Sequence, residues 1–344
     1  MSVRRWMNVG TAVLVVIVLY FTRHELLQAW HLMQHVNLGI LALILVLQAV
    51  SYYSAGATVF SYLKQKETID VSRVEMTKIA LELNFVNHIL PSGGVSGISY
   101  MTWRLKQLGV GAGRATLAQV VRFATSYGTF LVLLMLALFF VALDGSINRL
   151  MILVTTGLAS AIVFGTLFIM YIIDSEVRLQ SFSKALTKWV NIFWIKIIRR
   201  PKRLLTPEKV TFFFEELQED YLALKKEPNL LKRPIIWSFV FNIAEISMFF
   251  VAFWALGTPI NPAPLLIAYG IASVAGFFIA TPGGAGGYEI LMITFLTGAG
   301  INQGAAVAGV LLTRTLLILT TILSGYVFYN LALEKYGNHP LKSK

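Results

Sequence analysis

"IATPGGAGGYEI", residues 279–290, sets a proline and a cluster of glycines inside a chain that is otherwise strongly apolar. Proline lacks the amide hydrogen a helix needs and glycine accepts positive φ, so a helix entering this stretch must stop and turn. A second stretch of the same kind, "ILPSGGVSGISY" at 89–100, lies in the first half. The setting decides what such breaks mean. The chain has 344 residues, 56% hydrophobic and only 13% charged, with a mean hydropathy of +0.69, which leaves too little polar surface for a water-soluble domain. Several apolar runs approach the roughly 20 residues that cross about 30 Å of hydrocarbon, without the period-two alternation of a barrel. The fold class is therefore an all-α polytopic membrane protein. Irregular backbone at membrane depth must be buried in protein or line a cavity.

Charge orders the spans. Arg4-Arg5 precedes an apolar run at about 7–21 that has no small-residue cleavage site after it, so it reads as a first membrane helix with the N-terminus in the cytoplasm. A second helix at about 38–60 returns to Lys64, Lys66 and Arg73. Arg104, Lys106 and Arg114 mark the cytoplasm again, so both ends of 74–105 lie on one side and the segment between is a re-entrant hairpin turning at Pro91 to Gly94. Helices at about 115–143 and 150–173 lead out and back to a basic segment, 174–233, that holds the largest concentration of the +12 net charge. With spans on both sides, the positive-inside rule explains that segment better than nucleic-acid binding does. A helix at about 234–256, an outward-facing hairpin at 264–298 and a last span at about 305–333 lead to a cytoplasmic tail, 334–344. The expectation is about six full spans plus two re-entrant helical hairpins, N-in and C-in.

The halves resemble each other. Aligning Gly93-Gly94 on Gly283-Gly284 sets "GGVSGIS" against "GGAGGYE", then "GVGAGRATLAQVVR" against "GINQGAAVAGVLLTR", ending on Arg122 and Arg314. With 1–143 as one unit and 144–333 as the other, threading in opposite directions, this predicts an inverted-topology repeat, a plan in which substrate meets broken helices near the midplane. The helices restarting after the glycines would present N–H groups and a positive dipole end to an anion. The competing reading is a packing turn.

Arg122 and Arg314 lie two to three turns inside their helices, where a charge is costly unless it snorkels, pairs or serves a function. A guanidinium grips carboxylate or phosphate, so each is a candidate ligand for a headgroup or a partner for Glu82, Glu245 or Glu289. Lys78 and Glu82 can pair at i,i+4. Glu245 has no charged neighbour on its own helix, which suits a proton-coupling role or a bridge to an arginine. Asn84, Asn87 and His88 approach the first turn and can cap the broken helix or meet a headgroup. His31 and His35 lack a third ligand for a metal. No catalytic set, nucleotide loop or cofactor motif stands out, and none is expected. The stretch 177–205 carries apolar residues at helical spacing with lysines between, the pattern of a helix lying in the cytoplasmic interface.

The "LPSGGVSG" turn, the "TPGGAGGYE" turn and the later arginine resemble the lysylphosphatidylglycerol synthase transmembrane region, a flippase-like family that includes the membrane part of the multiple peptide resistance factor. Many members carry a basic residue just after the first turn, where this chain has Ile98, Ser99 and Tyr100; Arg104 is the candidate substitute. The resemblance implies a transporter in a bacterial or archaeal inner membrane that moves an anionic or aminoacylated phospholipid, or a polyprenyl-phosphate lipid, between leaflets. The synthases carry a further soluble lysyltransferase domain, for which this chain leaves no room after its last helix, so a self-sufficient enzyme is not expected. A small-anion transporter, and a scaffold for a separately encoded transferase, remain alternatives.

Overall fold

The computed structural model describes residues 20, 36–66, 69–90, 95–143, 149–198, 207–276, 279 and 281–336. The expected first helix apart from residue 20, the His31/His35 pair, the turn residues 91–94 with Gly93 and Gly94, the basic run 199–206 and the tail beyond 336 lie outside them. Among the described residues the fold is entirely helical, and five helices are long and apolar enough to cross a membrane. The chain is a multi-span membrane protein.

A single turn, Leu38–Leu41, is capped by Asn37, whose Oδ1 accepts from the amides of Gly39 and Ile40 at 3.1 and 3.2 Å. It leads into α1 (Leu43–Lys66). The first broken hairpin follows as α2 (Arg73–Ile89) and α3 (Val95–Gln107). α4 (Ala112–Leu143) and α5 (Arg149–Ile173) are long and apolar. After α6 (Glu176–Ile198), α7 (Pro207–Lys226) and a 3₁₀ turn comes α8 (Lys232–Ala255). The second broken hairpin is α9 (Pro262–Gly276), a 3₁₀ turn at Pro282–Gly284 and α10 (Gly287–Gly298); α11 (Gln303–Tyr336) closes the described chain. The four hairpin arms have 17, 13, 15 and 12 residues. Each falls short of the roughly 20 needed to span.

The segment 174–233 differs from the expectation of a loop with one interfacial helix, because α6 and α7 fold back as a helical pair. α7 packs on both α6 and α4, and its Leu217 and Leu224 are buried in the core around α2 and α3. Gln218 Nε2 donates to the Ile173 carbonyl at 2.8 Å, and Lys225 Nζ meets Asp174 Oδ1 at 2.7 Å.

The packing around the hairpins positions the site. α2 rests on α11, and α9 rests on α4. Each first arm therefore lies against the long helix that follows the other hairpin. Both crossings set a phenylalanine side chain on a glycine: a Cβ at Gly325 would lie 2.5 Å from Phe85 Cβ, and one at Gly270 would lie 2.4 Å from Phe130 Cζ. Small residues let helices approach where lipid supplies no hydrophobic drive. α8 runs along α1 and touches α4 and α11, so it forms the centre of the bundle.

Candidate functional site

The second turn folds on itself. Gly283 and Gly284 take φ of 60° and 73°. The Gly284 amide donates to the Thr281 carbonyl at 3.0 Å, the Ala285 amide to Pro282 at 3.1 Å, and the Gly286 amide to Glu289 Oε2 at 2.7 Å. These three N–H groups are spent within the turn and are not free for a headgroup. A carboxylate at the third position of a helix satisfies an orphan amide in this way.

Glu289 is also the anchor of Arg314. Arg314 Nε donates to Glu289 Oε1 at 2.7 Å and Nη2 donates to the Gly283 carbonyl at 2.7 Å, while the guanidinium lies 4.1 Å from the Tyr288 ring centre. Arg314 thus ties α11 to the turn between α9 and α10. Its charge is locally neutralised.

The first hairpin uses its charges elsewhere. Arg104, 2% exposed, donates through Nε to Glu82 Oε2 at 3.0 Å and through Nη2 to Glu75 Oε1 at 2.5 Å. The Tyr100 hydroxyl donates to Glu82 Oε2 at 2.8 Å, and Tyr336 lies under the guanidinium. Arg104 joins the two arms and does not line the cavity described below, so the structure does not bring it to a headgroup there. Lys78 lies 5.5 Å from the Phe328 ring centre and has no ion pair with Glu82, contrary to the i,i+4 expectation. Asn87 caps the second arm: its Oδ1 accepts from the Gly97 amide at 2.9 Å. His88 turns Nδ1 to the Asn84 carbonyl at 2.8 Å and lays its ring on the other turn, where a Cβ at Gly283 would sit 2.7 Å from His88 Cδ2.

Between these parts lies a cavity of about 290 Å³. It is lined by Asn84, Asn87 and His88 of α2, Arg122, Ser126 and Tyr127 of α4, Phe241 and Asn242 of α8, Tyr269 and Ser273 of α9, Gly283 and Gly284 of the turn, and Arg314 of α11. The volume sits at the lower end of small-molecule sites, about 300–1,000 Å³. Leu83, Phe123, Phe130, Val274 and Ile279 also line it, and the lining is more apolar than polar.

Arg122 is the feature that sets this cavity apart. It stands ten residues into α4, about 15 Å along the helix. Its guanidinium lies 4.5 Å from the Phe123 ring centre, its Nε is buried with no hydrogen-bond partner, and among the described residues it has no ion pair. A buried cation without a carboxylate is strongly disfavoured. The wall behind it is rigid: Asn242 Nδ2 donates to the Ser126 carbonyl and to Thr129 Oγ1, both at 2.9 Å, and Ser238 Oγ meets Thr125 Oγ1 at 2.9 Å.

The structure thus gathers Asn87, Arg122, Gly283, Gly284 and Arg314 at one cavity and holds Glu289 directly behind Arg314. Glu245 is not among the lining residues; it lies one turn beyond Asn242, with its Oε1 accepting from Ser51 Oγ at 2.5 Å. Asn242, Ser126, Tyr127 and Ser273 were not anticipated. Their signal was polar spacing: Asn242 stands three residues before Glu245, and Ser126 and Tyr127 one turn after Arg122.

Residues 7–325 match the model of the lysylphosphatidylglycerol synthase transmembrane region. The chain belongs to this family. The chain is similar to a UPF0104 membrane protein of Methanothermobacter thermautotrophicus, with 23% identity over 251 residues, 72% of each chain. As a lysylphosphatidylglycerol synthase transmembrane-region protein, the chain carries both glycine turns and both arginines within the matched span.

Proposed function

We propose that this protein is a flippase-type lipid transporter that takes the headgroup of an anionic or aminoacylated phospholipid, or of a polyprenyl-phosphate lipid, into the cavity between its broken hairpins. The carrying observation is Arg122, whose Nε is buried without a hydrogen-bond partner and which makes no ion pair among the described residues, at the wall of a cavity of headgroup size. Phosphate is its natural counter-ion, bound through charge-assisted bonds. Asn87, Tyr127 and His88 line the same cavity, and so does Arg314, held by its ion pair with Glu289.

The same reading includes an inverted repeat of 1–143 and 144–333, threaded N-in and C-in in a bacterial or archaeal inner membrane with 174–233 cytoplasmic. Its support is the exchange of partners described above: α2 on α11 against α9 on α4, and α1–α4 against α8–α11. Two halves of opposite threading give one site two exits, as alternating access requires.

The test is reconstitution. In vesicles carrying labelled phosphatidylglycerol, lysylphosphatidylglycerol or a polyprenyl phosphate, the protein speeds movement between leaflets for at least one of them, and Arg122→Gln slows that movement about tenfold or more, the worth of a charged hydrogen bond. No acceleration of any of these lipids, with flux of free phosphate or sulfate instead, would replace the reading by a small-anion transporter.

A further inference from the structure

The buried carboxylates of the described bundle differ in their partners. Glu82 receives Arg104 and Tyr100, and Glu289 receives Arg314 and the Gly286 amide. Glu245 receives one neutral donor, Ser51 Oγ, and among the described residues makes no ion pair. It sits in the middle of α8, the central helix, and keeps some accessible surface although the bundle surrounds it. Beside it, α1 and α11 are joined by an uncharged array: Gln48 Nε2 donates to Tyr52 Oη at 2.8 Å, Tyr52 Oη meets Thr321 Oγ1 at 2.5 Å, and Thr320 Oγ1 donates to Gln48 Oε1 at 2.6 Å. Nothing in that array can balance a negative charge.

The groups that act on Glu245 are Tyr52 from α1, Tyr269 from α9, Tyr288 from α10 and Arg314 from α11. Arg122 and Tyr127 face the adjoining cavity from α4, and His88 faces it from α2. The turns Leu38–Leu41 and Pro228–Leu231, also packed on α8, hold no titratable side chain. Arg314 is therefore a cation placed between two carboxylates and bonded to one of them.

Charge accounting then has two neutral solutions. With the cavity empty, Arg122 and Arg314 balance ionised Glu289 and Glu245. With a phosphodiester monoanion beside Arg122, the four groups and the ligand together carry one negative charge in excess, which a low-dielectric interior disfavours. A proton on Glu245 removes it. His88 enters neither sum, because its Nδ1 is bonded to the Asn84 carbonyl and no carboxylate bonds its ring. Resting on the headgroup reading above, we propose that Glu245 is a proton-binding site loaded together with the anionic headgroup: a proton from water binds the carboxylate as the phosphodiester enters and leaves as it departs. Movement of the lipid is thereby coupled to movement of a proton.

The sign of the linkage is fixed. Where empty Glu245 is ionised, binding the anion takes up about one proton, so affinity falls about tenfold for each unit of rising pH. Where empty Glu245 is already protonated, affinity is flat. Short-chain phosphatidylglycerol titrated calorimetrically into the full-length protein in detergent, in buffers of different ionisation enthalpy, reads that uptake without any variant. Glu245→Gln copies the protonated form; it should bind the probe with the high affinity at every pH and take up no proton.

Binding by the wild type with no proton uptake at any pH overturns the coupling and leaves the headgroup site standing. A pH dependence that persists in Glu245→Gln assigns the proton elsewhere, to His88 first, and also overturns it. Absence of binding at every pH overturns the headgroup site itself and the coupling with it. If Glu245→Gln does not fold, the wild-type uptake, and an infrared band of a protonated carboxyl that grows on adding the probe, still decide the matter.

Discussion

In α9–α10 the arginine of the following helix reaches back into the hairpin: Arg314 bonds Glu289 and the Gly283 carbonyl, and both oxygens of Glu289 are occupied. In α2–α3 the carboxylate is taken by an arginine of the hairpin itself, since Arg104 holds Glu82 and Glu75. The arginine of the helix that follows, Arg122, is left with an aromatic ring and an unbonded Nε. Similar parts are wired in two ways. A charge neutralised within its own hairpin is a strut, and a charge left over is free to meet something that comes and goes. The two arginines that look equivalent in the aligned halves are therefore different residues physically.

Gln at each position separates them, and this is the largest effect expected. Arg314→Gln strands Glu289 in a buried site, and breaking such a pair costs about 3–5 kcal/mol. Thermal unfolding in detergent should drop sharply, and the double variant with Glu289→Gln should recover part of the loss. Arg122→Gln removes a charge that makes no ion pair among the described residues, so unfolding should stay where it is or rise while lipid movement falls. Equal destabilisation by both single variants would erase the distinction.

The middle effect tests how the two hairpins meet. Gly283 holds φ at 60°, and a Cβ there would press on His88 Cδ2 at 2.7 Å. Gly283→Ala should destabilise by about 1–3 kcal/mol, combining an unfavourable backbone with a clash. Adding His88→Ala should return the share due to the clash and leave the share due to φ. No recovery would mean that the turn is held by its own backbone alone and that α2 is not pressed against it.

Much of this was legible in the sequence, and the limits have physical causes. Both breaks could be read because Pro and Gly act on the backbone locally, and the long spans because hydropathy adds up along a helix; α4 and α5 begin and end within a few residues of expectation. The helix α7 is hard to read because acidic and basic residues crowd around Phe214, Leu217, Tyr221 and Leu224, whose helical spacing marks its buried face. Arg104 was misplaced for a different reason. Its partners, Glu75 and Glu82, lie 29 and 22 positions away in the chain, and nothing in one sequence ranks that pairing over Lys78 with Glu82 at i,i+4. Ion-pair choice is a tertiary property, whereas helix ends are mostly local.

That last choice also sets the smallest effect. If Lys78 were the partner of Glu82, Lys78→Met would leave a buried carboxylate exposed to the full penalty of losing its cation. In the structure Glu82 is held by Arg104 and Tyr100, and Lys78 contributes a contact over Phe328 at 5.5 Å. A cation over a phenyl ring at a partly accessible site is worth about 0.5–1 kcal/mol, and the methionine keeps most of the apolar stem on the ring. Lys78→Met should therefore lower the unfolding temperature in detergent only slightly, while Arg104→Met, which strands Glu82, should lower it many times more. If the two variants fall together, Lys78 shares the neutralisation of Glu82, and the first hairpin is wired less independently of α11 than the contrast with the second requires.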